Sequence, residues 1–376
     1  MPKKQPNTET KETQTKQANI PLIACDFGYG MTKAFNGSDK PLGIRSLVGD
    51  PIGTIKYQTG MQPIKVIRDM DWLSVLFPEN DQRYFIGDLA RRQSEHVYYI
   101  TDKDKLSYAS TKALINAAIA ILLPETVVNK PVPIALNVVT GLPVSYYIKA
   151  QIEGMQKLLV GEHAIDFDWD RNNSYAHKYK FKINGIKIIP QPVGTFYGLI
   201  LDENGEFVKG KEELASSTVA IIDIGYGTTD YCILNAAEYI ERGSRSSNTA
   251  MSSVYGHVAK RLSEHASTEI PAWQVEPVIL KGEKDMPIRI SGVTYNLEKL
   301  YHKAVDAVFE ELMAVAKGLW RKEYQIDTFI LAGGGSYVFA DKFQEKFGLE
   351  GQVIIADDPM YSNVRGYHKY GRRTFK

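Results

Sequence analysis

One stretch of this chain occurs twice, and that repetition limits the folds open to it more than any other feature. Ile23-Ala24-Cys25-Asp26-Phe27-Gly28-Tyr29-Gly30-Met31-Thr32 aligns with Ala220-Ile221-Ile222-Asp223-Ile224-Gly225-Tyr226-Gly227-Thr228-Thr229. Asp, Gly, Tyr, Gly and Thr are identical in both copies. Each copy is an apolar run that ends in Asp, turns at two glycines and resumes. That pattern predicts a buried strand, a tight hairpin and a second strand. At 376 residues the chain is too long for one hydrophobic core, so the repeat predicts two lobes.

The chemistry that suits such hairpins is the gripping of phosphate. Glycines let the backbone take positive φ and approach a bulky anion, and the turn amides then point at its oxygens. The carboxylate at the end of each buried strand, Asp26 or Asp223, can hold Mg²⁺ through water, because that ion keeps part of its hydration shell. A single Asp-x-Gly-x-Gly is a common turn. The second copy raises its weight, as does Gly333-Gly334-Gly335-Ser336 after the apolar run Thr328–Ala332. The nucleotide-binding candidates are therefore Gly28, Tyr29, Gly30, Thr32, Lys33, Gly225, Tyr226, Gly227, Thr228 and Thr229, with Gly333, Gly334, Gly335 and Ser336. The copies diverge at their ends, into Lys33 in the first and Asp230 in the second, so the two sides of the cleft are expected to differ.

The remaining chain alternates strands and helices, which makes the class α/β. Tyr84–Gly87 and Pro131–Gly141 read as strands, and Ser107–Leu123, Tyr146–Leu159 and Val193–Leu201 as helices. Asp166-Phe167-Asp168-Trp169-Asp170 alternates acid and aromatic and reads as a solvated edge strand. Tyr179–Ile189 reads as a hairpin turning at Asn184-Gly185. Residues 244–322 are mainly helical with a β-like patch at Ile288–Tyr295, and a final helix is expected near Asn363–Tyr370. Gly205–Lys211 imitates a P-loop, but Glu212 stands where Ser or Thr is needed. The seven histidines are scattered and suggest no metal site.

Bulk properties narrow the function. The 45 basic and 44 acidic residues leave a net charge of +1, which excludes a protein that coats nucleic acid by charge alone. Cys25 and Cys232 each adjoin a hairpin and should be buried thiols rather than a disulfide, which fits a reducing, cytoplasmic setting. Residues 1–19 are polar and apolar-poor, as a disordered arm would be. Ala117–Leu123 is too short to cross a membrane.

The order strand–DxGxGxT, QP-helix, strand–DxGxGTTD, strand–GGGS and NVRGYHKYG resembles the actin-like ATPase superfamily. Within it, Thr140–Val144, DIGYGTTD at Asp223–Asp230 and NVRGYHKYG at Asn363–Gly371 resemble the ParM/StbA plasmid-segregation actins. The resemblance implies a two-lobed fold of ribonuclease-H-like type, with a five-stranded sheet in each lobe and the nucleotide in the interdomain cleft. Domain I is expected over 20–190 with an insertion at about 36–83, and domain II over 191–376 with a helical insertion at about 246–322. It implies Asp26 and Asp223 as organisers of Mg²⁺, Gln191 as the residue that aligns the attacking water, and Gly334, Gly335 and Ser336 in the adenosine motif. Arg261 and Glu264 are candidates to touch the base.

The resemblance further implies an ATPase, with ATP or GTP and Mg²⁺ as ligands. It implies a homopolymer filament that segregates plasmid DNA through a DNA-binding adaptor protein, without direct sequence-specific DNA binding or membrane attachment. Two alternatives share the fold: a small-molecule kinase for sugars or carboxylates, with Asp88 as a conceivable base, and a cell-division or pilus scaffold.

Overall fold

The computed structural model describes residues 20–38, 40–51, 72–99, 109–170, 174–320, 324–348 and 351–376. The arm expected over 1–19 and residues 52–71 of the expected insertion lie outside them. The first half runs β1 (Leu22–Phe27), β2 (Met31–Phe35), β3 (Leu42–Arg45), β4 (Leu47–Pro51), β5 (Trp72–Phe77), β6 (Gln82–Gly87), α1 (Asp88–Gln93), β7 (Ser94–Tyr99), α2 (Ala109–Ile121), β8 (Ile134–Leu142), α3 (Lys149–Leu159), β9 (Gly161–Phe167), β10 (His177–Pro190) and α4 (Gln191–Ile200). The second runs α5 (Glu212–Ser216), β11 (Thr218–Ile224), β12 (Thr229–Asn235), β13 (Glu238–Tyr239), β14 (Arg245–Ser247), α6 (Met251–Ala266), α7 (Ala272–Lys281), β15 (Pro287–Ile290), β16 (Val293–Asn296), α8 (Glu298–Leu319), β17 (Thr328–Ala332), α9 (Ser336–Phe347), β18 (Gln352–Ile355) and α10 (Ser362–Thr374).

Two sheets repeat one plan. The order β3-β2-β1-β8-β10 in the first matches β13-β12-β11-β17-β18 in the second. In each, the first three strands are antiparallel neighbours and the last two join in parallel. The repeated hairpins are the β1–β2 and β11–β12 turns, at equivalent places.

Strand alternation decides where the two acids go. Side chains along a strand point to opposite faces in turn. On β1, Ile23, Cys25 and Phe27 enter one core, while Ala24 enters a different one that both sheets share. On β11, Ala220, Ile222 and Ile224 enter the second sheet's own core, while Val219 and Ile221 enter the shared one. Asp26 and Asp223 have the parity of the shared face, so both acids emerge between the lobes. Cys25 and Cys232 are buried free thiols, as expected, and burial pushes both thiols up.

The shared core is built around α4 and α10, each of which follows the last strand of its plan. Val193, Phe196, Ile200, Val364 and Tyr367 of these helices pack with strand residues of both sheets. The helices meet at glycine: a Cβ on Gly366 would lie 1.7 Å from the Gly194 carbonyl oxygen.

Several local expectations are corrected. The first sheet has ten strands rather than five, continuing β10-β9-β5-β6-β4-β7. The cause is β5, which pairs with β9 and draws the insertion into the sheet. The stretch at Asp166 is therefore interior rather than an edge, and Asp166 and Asp168 are each 5% exposed. Burial pushes the Asp166 carboxyl up. Asp170 alone of the three reaches solvent, pairing with His177 at 3.3 Å. Asn184-Gly185 is not a hairpin turn but a register irregularity inside the single long strand β10. The Gly205–Lys211 stretch that imitates a P-loop begins instead at a turn, with Asn204-Gly205 enclosed by a Leu201–Phe207 bridge. The closing helix extends past Tyr370 to Thr374. Its basic end packs on the protein, with Lys369 Nζ donating to Gly198 O at 3.0 Å and Arg373 to Gly205 O at 3.2 Å. Among the described residues, no helix is long and apolar enough to cross a membrane.

Candidate functional site

The hairpins face each other across a cavity of about 300 Å³ between the two sheets. Twelve expected residues line it: Asp26, Gly28, Tyr29, Gly30, Lys33, Gln191, Asp223, Gly225, Tyr226, Thr228, Gly334 and Gly335. Five do not. Thr32 is buried and bonded to Ser46 Oγ at 3.0 Å, and Thr229 donates to Thr249 O at 2.8 Å. Ser336 donates to Ala332 O at 2.6 Å. Gly333 and Gly227 are packed against neighbours: a Cβ would lie 2.4 Å from Asp223 Oδ1 at the first and 3.1 Å from the Tyr29 ring at the second.

The hairpin carbonyls are tied back from outside. Ser46 bonds Gly28 O through Oγ at 2.7 Å and Gly30 O through its backbone N–H at 3.1 Å. At the second hairpin the first turn of α6 does the same work, with Met251 N–H on Gly225 O at 3.3 Å and Ser252 N–H on Tyr226 O at 2.8 Å. In a planar trans peptide the N–H points opposite to the C=O. The amides of Tyr29, Met31 and Tyr226, residues that line the cavity, therefore point away from these tethers. Donors turned this way suit an anion.

The acids are held by parallel devices. Gln191 opens α4 and donates Nε2–H to Asp26 Oδ1 at 2.9 Å. Asn363, at the start of α10, donates Nδ2–H to Asp223 Oδ2 at 2.6 Å. Asn363 is fixed in turn by Thr195, whose hydroxyl donates to its Oδ1 at 2.7 Å. Cross-strand register then makes the sides unequal. Lys33 lies opposite Asp26 and Asp230 opposite Asp223. Lys33 Nζ reaches Asp26 Oδ2 at 3.1 Å. Asp230 accepts the Val144 N–H at 3.0 Å and a short hydrogen bond from Ser246 Oγ.

Charge is concentrated here. Burial pushes the Asp223 carboxyl up to about 6, against the pull of Lys33 and Asn363. Burial likewise pushes Asp230 up to about 7, against the Ser246 hydrogen bond. Burial disfavours the Lys33 ammonium, but Asp26 and Asp223 outweigh it, and its pKa is raised. Asp26, Asp223 and Asp230 are thus all buried at the cavity that holds the Lys33 ammonium, and a further cation there would favour their ionised forms. Among the described residues no three metal-ligating side chains converge into a cage. The donor set suits an ion that takes most ligands from water and phosphate, as Mg²⁺ does.

The cavity also gathers residues that sequence reasoning missed, Arg45, Tyr255, Glu276, Tyr337 and Asn363, and it takes in Asp230, the acid expected to set the second hairpin apart. Asn363 had a signal, since it opens the second closing helix as Gln191 opens the first. The α6 residues at the cavity are Met251 and Tyr255. Arg261 and Glu264 sit on the exposed side of that helix instead. Asp88 is off the cavity, paired with Arg91 at 3.1 Å and Arg45 at 3.7 Å.

A duplicated sheet plan, crossing closing helices and paired hairpin acids at a central cleft define the actin-like class. A model of the N-terminal domain of actin-like proteins matches residues 24–194, and one of the C-terminal domain of archaeal MreB-like actin homologues matches 221–345. Between them the two matches mark both halves of the chain as actin-like. No curated protein matches it by sequence. Among solved structures it is similar to a non-polymerisable quadruple mutant of pCBH ParM, with a TM-score of 0.74 and 22% identity over 94% of this chain and 100% of that one. A 15-stranded ParM filament from Clostridium botulinum gives 0.72 and 22% over 95% and 100%. The archaeal actin homolog Ta0583, in complex with ADP, gives 0.71 and 14% over 94% and 100%. At these identities the structures speak for the fold.

Proposed function

We propose that this chain is a cytoplasmic ATPase that assembles into nucleotide-dependent filaments and drives plasmid DNA segregation. The observation that carries the nucleotide reading is the pair of buried acids, Asp26 and Asp223, facing one cavity beneath two glycine hairpins. The domains would divide at 190/191, where β10 ends and Gln191 opens α4. The hairpin amides and Lys33 would take the β- and γ-phosphates of ATP or GTP. Gly334 and Gly335 would border the nucleoside. Asp26 and Asp223 would hold Mg²⁺ through water, and the ion would neutralise phosphate charge.

Gln191 uses its Nε2–H on Asp26, which leaves Oε1 as an acceptor. That oxygen would orient an attacking water, and alignment with charge stabilisation supplies most of the catalysis in phosphoryl transfer. The kinase alternative loses support because Asp88 is occupied by ion pairs and stands off the cavity. Similarity to filament-forming ParM proteins supports self-association. The near-balanced charge favours a separate DNA-binding adaptor.

Sedimentation with ATP, with ADP and without nucleotide tests the reading, alongside Asp223→Ala. ATP-dependent pelleting that the variant lacks is expected. Absence of nucleotide-dependent pelleting across salt conditions would sink the filament assignment, and full hydrolysis by the variant would sink the site.

A further inference from the structure

The two hairpins pack on each other through their own tyrosines. Tyr226 stands between Gly225 and Gly227, and its ring covers Gly30 of the opposite hairpin. A Cβ on Gly30 would lie 2.6 Å from Tyr226 Cγ and 2.7 Å from its Cβ. Tyr29 stands between Gly28 and Gly30, and its ring covers Gly227, where a Cβ would lie 3.1 Å from Cβ, Cγ and Cδ2. The arrangement is reciprocal: the tip residue of each copy fills the space left by the second glycine of the other. Gly227 does not line the cavity, and a seat for the Tyr29 ring accounts for it without any ligand.

The Tyr226 side is also braced. Its hydroxyl donates to Glu276 Oε2 at 3.2 Å, and Glu276 faces Arg45 Nη1 at 3.9 Å. Glu276 lies on α7 and Arg45 at the end of β3, so this chain of contacts joins the same two lobes. Both tyrosines line the cavity as well.

We propose that Tyr29 and Tyr226 are positioning residues that set the separation of the two hairpins and must part before a nucleotide enters or leaves. This rests on the nucleotide reading above. A ligand gripped from both sides needs the hairpins at one spacing, and spacing errors of an ångström are costly. Two rings seated on opposing glycines impose that spacing without touching the reacting atoms. Parting them returns aromatic surface to water, which slows release.

The test is release of mant-ADP from the full chain in Mg²⁺, chased with unlabelled ADP. Tyr29→Ala and Tyr226→Ala are each expected to speed release roughly tenfold. The double variant should gain less than the product, because both rings hold one interface. Tyr29→Phe should release more slowly than Tyr29→Ala, since the contact with Gly227 is made by the ring. Tyr226→Phe should release faster than wild type and more slowly than Tyr226→Ala, having lost its bond to Glu276 but kept its ring. Tyr226 is 37% exposed, so its truncation opens no core cavity. Normal binding with unchanged release in both alanine variants would overturn this proposal alone. A wild-type chain that binds no mant-ADP would overturn the nucleotide reading and this proposal with it.

Discussion

The crossing of α4 and α10 makes Gly366→Ala the sharpest structural test of this molecule. A Cβ at position 366 would lie 1.7 Å from Gly194 O, 2.6 Å from its carbonyl carbon and 2.8 Å from Gly198 N. All three are backbone atoms of a packed helix, so no side chain can swing aside. Relief requires the helices to separate by roughly 1.5 Å. Overpacking of this kind costs about 3 kcal/mol, equivalent to a fall of roughly 4 °C in Tm for a chain of this length. The damage should also reach the site. Residue 366 lies one turn beyond Asn363, whose bond to Asp223 is 2.6 Å long, and α4 carries Gln191 to Asp26. Weaker ADP binding should therefore accompany the lower Tm. Gly256→Ala is the matched control. Position 256 is inside α6 with nothing within 4 Å of an added Cβ, so alanine there should be neutral or stabilise by about 0.5–1 kcal/mol through helix propensity. Melting of Gly366→Ala within a degree of wild type, or an equal fall in Gly256→Ala, would refute the close-crossing argument.

Two further outcomes follow from the buried charges. Burial raises the Asp230 and Asp223 carboxyls to about 7 and about 6, so the folded chain retains protons that the unfolded chain releases above about pH 4. Stability of the unliganded chain should therefore fall as pH rises through that window. Asp230→Asn should flatten the slope, and urea midpoints near pH 5 and pH 8 would show it; an unchanged slope would count against it. Lys33→Met leaves Asp26 without its ion-pair partner and should destabilise the unliganded chain by about 2–4 kcal/mol. In calorimetric titrations it should weaken ATP more than ADP, and equal losses would place Lys33 away from the terminal phosphate.

The positions of the two acids were legible from the sequence because they depend on local pattern. An apolar run ending in Asp and two glycines specifies strand, parity and turn together, and its repetition specifies two lobes. The GGGS turn was legible too, as a glycine turn after an apolar run, whereas the role of Gln191 followed from resemblance. Other features were beyond local reading because strand partners are chosen at long range. Asp166 shows this: alternation of acid and aromatic reveals that β9 has two faces, but only pairing with β5 shows that its edge is covered. Asn184-Gly185 carries the signature of a turn, yet β8, which pairs with the chain before and after it, holds it inside one strand. Asn363 joins the site only once α10 packs between the sheets, and the tyrosines reach each other's glycines only after the lobes meet. Chain pattern determined what each hairpin presents; packing of α4 and α10 between the sheets decided what the hairpins face, since contact between residues some two hundred positions apart is set by how the cores fit.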